Sequence, residues 1–175
     1  MDYEFFEALT PEQAQTYLDR FLEVESKEIL ETLDAARAAG VRTDYSVDSI
    51  PELLCWLATR VNVVQVEPPE DVDSWVRDAM EQQHGGFRDF DDATRPLVLR
   101  AAYYFGQSFV ESFPNMRWAP GRADRIEFQQ PVITGFPTDA DLPCLVVAEN
   151  ILLDADDPDF EGIARTAVDA WRERL

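Results

Sequence analysis

Between Thr10 and Gly40 the sequence holds a helical pattern with no Gly or Pro after Pro11. Thr10 is placed to cap the first turn. Pro11 fits the first helical position, where its missing N–H costs nothing, and Gln13, three residues after Thr10, completes a capping box. Ala14, Tyr17, Leu18, Phe21 and Leu22, then Ile29, Leu30 and Leu33, recur at helical spacing. The stripe changes phase near Glu25–Lys27, which predicts a bend there. Gly40 predicts a C-cap, and Phe5 and Phe6 are expected to pack back as a staple or short leading turn. A helix this long buries its apolar face against other elements, so the rest of the chain must supply them.

Asp48 or Ser49, followed by Pro51, predicts a second, buried helix through ELLCWLATRVNVV. Its β-branched tail, VNVVQV, fits helix or short strand equally. Pro68 and Pro69 in EPPED mark an internal boundary at 67–71. A short helix is expected over 71–83, with Val72, Trp75, Val76 and Met80 on one face and HGG at its end. FRDFDDATRP reads as a loop leading to a third long helix capped by Asp92, with Pro96 in its first turn. That helix carries Leu97, Ala101, Tyr104, Phe105, Ser108, Phe109, Ser112 and Phe113 as one stripe and ends at Pro114 and Asn115. Four β-favouring segments follow, MRWA, RIEF, PVITGF and CLVVAEN, joined by PGRAD and PTDADLP. The last helix has Asp157 as cap and Pro158 at its first position, with Phe160, Ile163, Ala164, Ala167, Val168 and Trp171 inward. Helices, then strands, then a helix predict an α+β protein: N-terminal helices packed with a small antiparallel sheet of three to four strands and a C-terminal helix. The chain is expected to form a single domain, 1–175, with a sub-boundary at 67–71 between a helical part, 1–67, and an α+β part, 71–175.

Charge excludes more function classes than any motif. The 175 residues hold 35 Asp and Glu against 15 Lys and Arg, a net charge of −20, and Lys27 is the only lysine. Such a field repels phosphate backbones and anionic lipid, so neither nucleic acid nor membrane is expected as a partner. Three readings of the charge stay open: a soluble acidic surface, attraction to a basic protein partner, and adaptation to high salt. Cys55 and Cys144 lie in separate apolar runs without a CxxC, which predicts two buried free thiols in a reducing cytoplasm. The N-terminus has no basic and apolar signal pattern, and no apolar run is long enough to span a bilayer. A cytoplasmic protein is expected.

No catalytic residue, metal ligand set or cofactor motif is identified. His84, the lone histidine, sits in a turn and reads as a helix-end cation facing the C-terminal dipole. DADDPDFEGIAR resembles a calcium loop but has Asp159 where the sharp turn needs Gly and Arg165 where a bidentate Glu is needed. It reads as helix capping instead. The nucleotide, zinc-protease and nucleophile-elbow motifs do not occur.

The stretch LRAAYYFGQSFVESFPNMRWAPG, residues 99–121, is the strongest candidate site. Gly106 in a helix interior costs about 1 kcal/mol relative to Ala, so something should offset it. One reading is close packing, with Gly106 and Ala102 forming a shallow groove. The other is a recognition surface: Tyr103, Gln107 and Glu111 share one helical edge, and Arg117 and Trp118 of the following strand complete it. The block AAYYFGQSFVESFPNMRW, with QPVITGF and LPCLVVAENIL after it, resembles a pattern of small acidic bacterial proteins. Some of these are similar to immunity proteins encoded beside polymorphic toxins. The resemblance covers residues 93–153 and implies no catalytic residue. It implies a bacterial cytoplasmic protein more than any activity. The leading reading is a non-catalytic protein-binding domain of immunity or inhibitor type whose acidic surface docks a basic partner, with nucleic-acid mimicry as a variant. Against it stand a small-molecule binder or enzyme with its site between the Gly106 helix and the sheet, and an oligomeric structural protein. The oligomeric state is open.

Overall fold

The computed structural model describes residues 3–69, 72–123, 125 and 127–175. Helix α1 (Tyr3–Glu7) leads into α2 (Pro11–Ala38), and a 3-10 turn (Val47–Ser49) into α3 (Ile50–Ala58). Strand β1 (Val63–Val66), α4 (Ser74–His84) and β2 (Phe87–Phe90) follow. Then come α5 (Arg95–Ser112), β3 (Arg117–Pro120), β4 (Pro131–Thr134), α6 (Cys144–Leu153) and α7 (Phe160–Arg172). The architecture is α+β.

The capping box forms as the sequence requires. Thr10 Oγ1 accepts from the Gln13 N–H at 3.2 Å, and Gln13 Oε1 accepts from the Thr10 N–H at 2.8 Å. Helix α2 runs unbroken to Ala38. Where the stripe changes phase, Glu25 itself lies on the buried side, between Phe21 and Ile29. Helix α5 is buried nearly all round through its middle, from Ala101 to Gly106 and again at Ser108 and Phe109. Helices α2, α3 and α6 and strands β3 and β4 pack about it. Tyr104 anchors the polar side of that core. Its hydroxyl lies 2.6 Å from Ser49 Oγ and accepts the Tyr45 N–H at 3.1 Å.

The sheet differs from expectation. Two separate two-stranded antiparallel sheets replace one of three to four strands. Strand β1 pairs with β2, Val63 opposite Phe90, with α4 between them in sequence. Strand β3 pairs with β4, Arg117 opposite Thr134, and a single bridge adds Leu142 beside Ile133. The ambiguous tail VNVVQV is strand β1, and FRDF, expected as loop, is β2. CLVVAEN is helix α6: Leu145, Ala148, Ile151 and Leu152 are its buried residues, a helical spacing that β-branched composition masks. In RIEF, the described residues Arg125, Glu127 and Phe128 lie in turns, and residue 126 lies outside the described residues. Mutual hydrogen bonds between Gly121 and Gln129–Gln130 close this segment as a loop. Asp139 holds it from outside, pairing with Arg122 at 2.5 Å and Arg125 at 2.6 Å. Residue 124 of PGRAD, residues 70 and 71 of the boundary at 67–71, and the first residue of the helix expected over 71–83 also lie outside the described residues.

Helix starts shift by a residue or two. Thr94, not Asp92, precedes α5, and Asp91 fastens that corner by accepting from the Thr94 N–H, the Thr94 hydroxyl and the Asn62 amide. These bonds, those of Thr94 foremost, hold the Asp91 carboxyl below the usual range. Helix α7 starts at Phe160 after Asp159, while Asp157 accepts the Asp159 N–H at 2.7 Å in the turn before it. Helix α4 ends at Gly85, whose φ of +69° is the left-handed C-cap that glycine takes without strain.

Candidate functional site

Packing explains Gly106. A Cβ there would fall on the Trp118 ring, and 2.8 Å from Cys144 Sγ. The Trp118 ring of β3 and Cys144 of α6 therefore both close on the glycine. Tyr103, one turn before Gly106, stacks on Trp118 with ring centres 6.3 Å apart and 9° between planes. Phe21 of α2 meets both rings edge-on, at 6.3 Å from Tyr103 and 5.7 Å from Trp118. Gln107 ties the edge of this cluster. Its Oε1 accepts from Trp118 Nε1 at 3.2 Å, and its Nε2 donates to Glu111 Oε1 at 2.9 Å. Burial, and then the Glu111 charge, raise the Tyr103 phenol above its ordinary pKa.

Of the five candidate residues, the structure thus brings Tyr103, Gln107, Glu111 and Trp118 into one stacked and hydrogen-bonded chain. Arg117 is not part of it. It precedes Trp118 on β3, where successive side chains face opposite ways, and it is exposed. Tyr103 is buried, and Gln107 uses both ends of its amide inside the chain. Five grooves of 230–370 Å³ on the surface are lined by other residues.

The wider surface is organised by charge. Most of the 15 cations are held in ion pairs within the chain. Lys27 pairs with Glu23, Arg37 with Asp34, Arg42 with Glu52, Arg95 with Asp89, Arg165 with Glu161 and Arg172 with Asp48. Arg88 lies between Asp154 and Asp156, and Arg122 forks across Asp139 and Asp141. Most of the cations are thus paired internally, and apart from the buried Glu25 most of the excess acids face outward.

Helix α4 differs from expectation in what it covers. Val76, Ala79 and Met80 are half-buried, whereas Trp75 is 69% exposed. On a helix Trp75 sits about 100° from Val76, at the margin of the apolar stripe between Ala79 on one side and Asp78 on the other, and its ring stays in solvent. Asp73 Oδ2 accepts from Trp75 Nε1 at 3.3 Å. Sequence reasoning placed this tryptophan inward and so passed over it. Its two flanking acids, in DSWVRD, were the signal of an outward position.

Two titratable clusters complete the picture. Glu25 is buried on α2, and burial pushes its carboxyl up against the pull of Arg100 on α5. Arg100 itself reaches Glu28 at 3.3 Å and Thr32 at 3.4 Å. His84 ends α4 with Nδ1 3.6 Å from Asp154, in a groove of about 290 Å³ shared with Met80, Phe87, Arg88, Asn150 and Leu153. That lining includes no Ser, Thr or Cys, so the His–Asp pair has no neighbouring nucleophile to activate. Both cysteines are free, and burial raises the thiols of Cys55 and Cys144 above their ordinary pKa. Among the described residues no group of three or more His, Cys, Asp or Glu is placed to hold a metal ion. Among them, too, no helix is long and apolar enough to cross a membrane. Comparison with protein-family models, with curated proteins and with solved structures gave no match.

Proposed function

We propose that this protein is a non-catalytic, acidic protein-binding domain that docks a basic partner protein, in the manner of a bacterial immunity or inhibitor protein working in the cytoplasm. One observation carries the reading: the cations are mostly paired inside the chain, so the net charge of −20 is presented outward by acids without local partners. A field of that sign steers a cationic partner and rejects anionic ones. A basic toxin domain is one such partner; in a variant of the same idea the carboxylates mimic nucleic-acid phosphates for a protein that binds them. The candidate block on α5 supports the non-catalytic side of the reading, because Trp118 fills the space between Gly106 and β3 where a ligand would sit.

A second reading, a small-molecule binder, has one feature in its favour. A groove of about 230 Å³ is lined by Phe6, Tyr17, Phe90, Val98, Leu99 and Leu145 together with Arg95 and Glu149. Apolar walls with a few charged groups suit a small amphipathic ligand. Affinity capture from cells that make the protein, washed at rising salt, separates the two readings. The first requires a basic protein that is retained at low salt and released as salt rises. No protein retained at low salt, or an acidic one, overturns it.

A further inference from the structure

We infer that the outward face of α4, Trp75 with Asp73 and Asp78, and the groove beside it at Glu81, form the docking surface for a basic, amphipathic segment of the partner protein. This inference rests on the function proposed above and names the place where it is carried out. Three observations support it. Trp75 is the most exposed of the large apolar side chains, at 69%, although it lies in a regular helix. An indole left in water forgoes the large burial that makes Trp a frequent anchor of interfaces. The acids around it are also uncompensated: among the described residues no ion pair joins Asp73, Asp78 or Glu81 to a cation, and Arg77 is the only basic residue between Glu67 and Glu81. Finally, a groove of about 360 Å³ adjoins the helix, with Val66, Pro68 and Phe87 offering apolar wall and Glu67 and Glu81 two negative charges against the one positive charge of Arg77.

Helix α2 provides the contrast. It also exposes apolar residues, Val24 and Leu30, but there Lys27 and Arg37 neutralise neighbouring acids within the helix. On α4 an exposed indole coincides with carboxylates that no ion pair among the described residues engages. That combination fits a segment carrying both Arg and apolar side chains. A guanidinium lies flat on the indole face while its N–H groups bond a carboxylate, and an apolar neighbour enters the groove.

The test is a titration of the isotopically labelled full chain with a synthetic peptide of alternating Arg and Leu at low salt, read by NMR. The Trp75 indole signal is assigned by its loss in Trp75→Phe. The inference requires that the Trp75 indole and the α4 amides move while the indoles of Trp56, Trp118 and Trp171 stay still. It also requires that Trp75→Ala and Asp78→Lys each weaken the peptide about tenfold with circular dichroism unchanged. An Asp–Leu peptide should leave every signal in place. If the Arg–Leu peptide binds and the shifts map elsewhere, the α4 surface is wrong and the proposed function stands. If it does not bind at any salt concentration, both fall.

Discussion

Replacing Gly106 by Ala sets helix propensity against packing, and the structure says which wins. Ala in place of an interior helical glycine gains about 1 kcal/mol. Here the new methyl collides with the Trp118 ring and crowds Cys144 Sγ. Trp118 is half-buried, and yielding has a cost. Moving it breaks its bond to Gln107, worth about 1 kcal/mol. It also disturbs the stack on Tyr103 and the edge contact with Phe21, each worth about 0.5–1.5 kcal/mol. If the ring stays, overpacking costs about 1–3 kcal/mol. Set against the gain, moving the ring leaves a net loss of about 1–3 kcal/mol and overpacking one of up to about 2 kcal/mol, so we expect a net destabilisation of about 1–3 kcal/mol. For a chain of this size that lowers Tm by roughly 3–10 °C. Thermal denaturation followed by circular dichroism reads it directly. Repeating Gly106→Ala in a Trp118→Leu background supplies the decisive arm, because a smaller side chain leaves room for the methyl and most of the cost should vanish. A Gly106→Ala protein as stable as the parent, or an equal cost in both backgrounds, would refute the packing argument.

Other substitutions probe the rest of the core and surface. Tyr104→Phe should cost about 1–3 kcal/mol in urea denaturation, since it takes a buried partner from Ser49 and the acceptor from the Tyr45 N–H. Glu25→Gln should raise Tm at neutral pH. Burial lifts the Glu25 pKa in the folded state, so its charged form opposes folding above that pKa, and the penalty disappears as pH falls towards the unfolded value. The advantage of Gln should therefore shrink on acidification, and a pH-independent difference would contradict the assignment. Trp75→Ser should change stability by no more than about 0.5 kcal/mol, because the exposed indole supports little of the fold.

What the sequence makes legible follows from how local each feature is. The capping box of α2, the break after α5 and the Gly106 packing are all encoded within a few residues, and all are found. The phase change at Glu25 is visible too, but that it marks a buried carboxylate is not, because Arg100 reaches that side of α2 only through α5. Helix α6 shows a different limit: CLVVAEN has strand composition, and its helical spacing becomes decisive only against the face of α5 that it covers. The two small sheets depend on partners that are distant in sequence, such as Val63 with Phe90, so neither their pairing nor their number is local information. The candidate site divides along the same line. Tyr103, Gln107 and Glu111 do share an edge, yet Trp118 turns that edge inward and binds it. Trp75 stands at the margin of its helix's apolar stripe, one residue before the half-buried Val76, and the pattern alone does not tell margin from stripe. One residue of helical phase separates a core position from a surface one.

The dissociation constant for the Arg–Leu peptide, measured against salt concentration for the parent and for a variant with Asp73→Asn, Asp78→Asn and Glu81→Gln together, tests the proposal of electrostatic docking most directly. The account predicts that the parent weakens steadily as salt rises, and that the triple variant binds more weakly at low salt with a much shallower dependence. A constant that ignores salt, or a triple variant that matches the parent throughout, would contradict it.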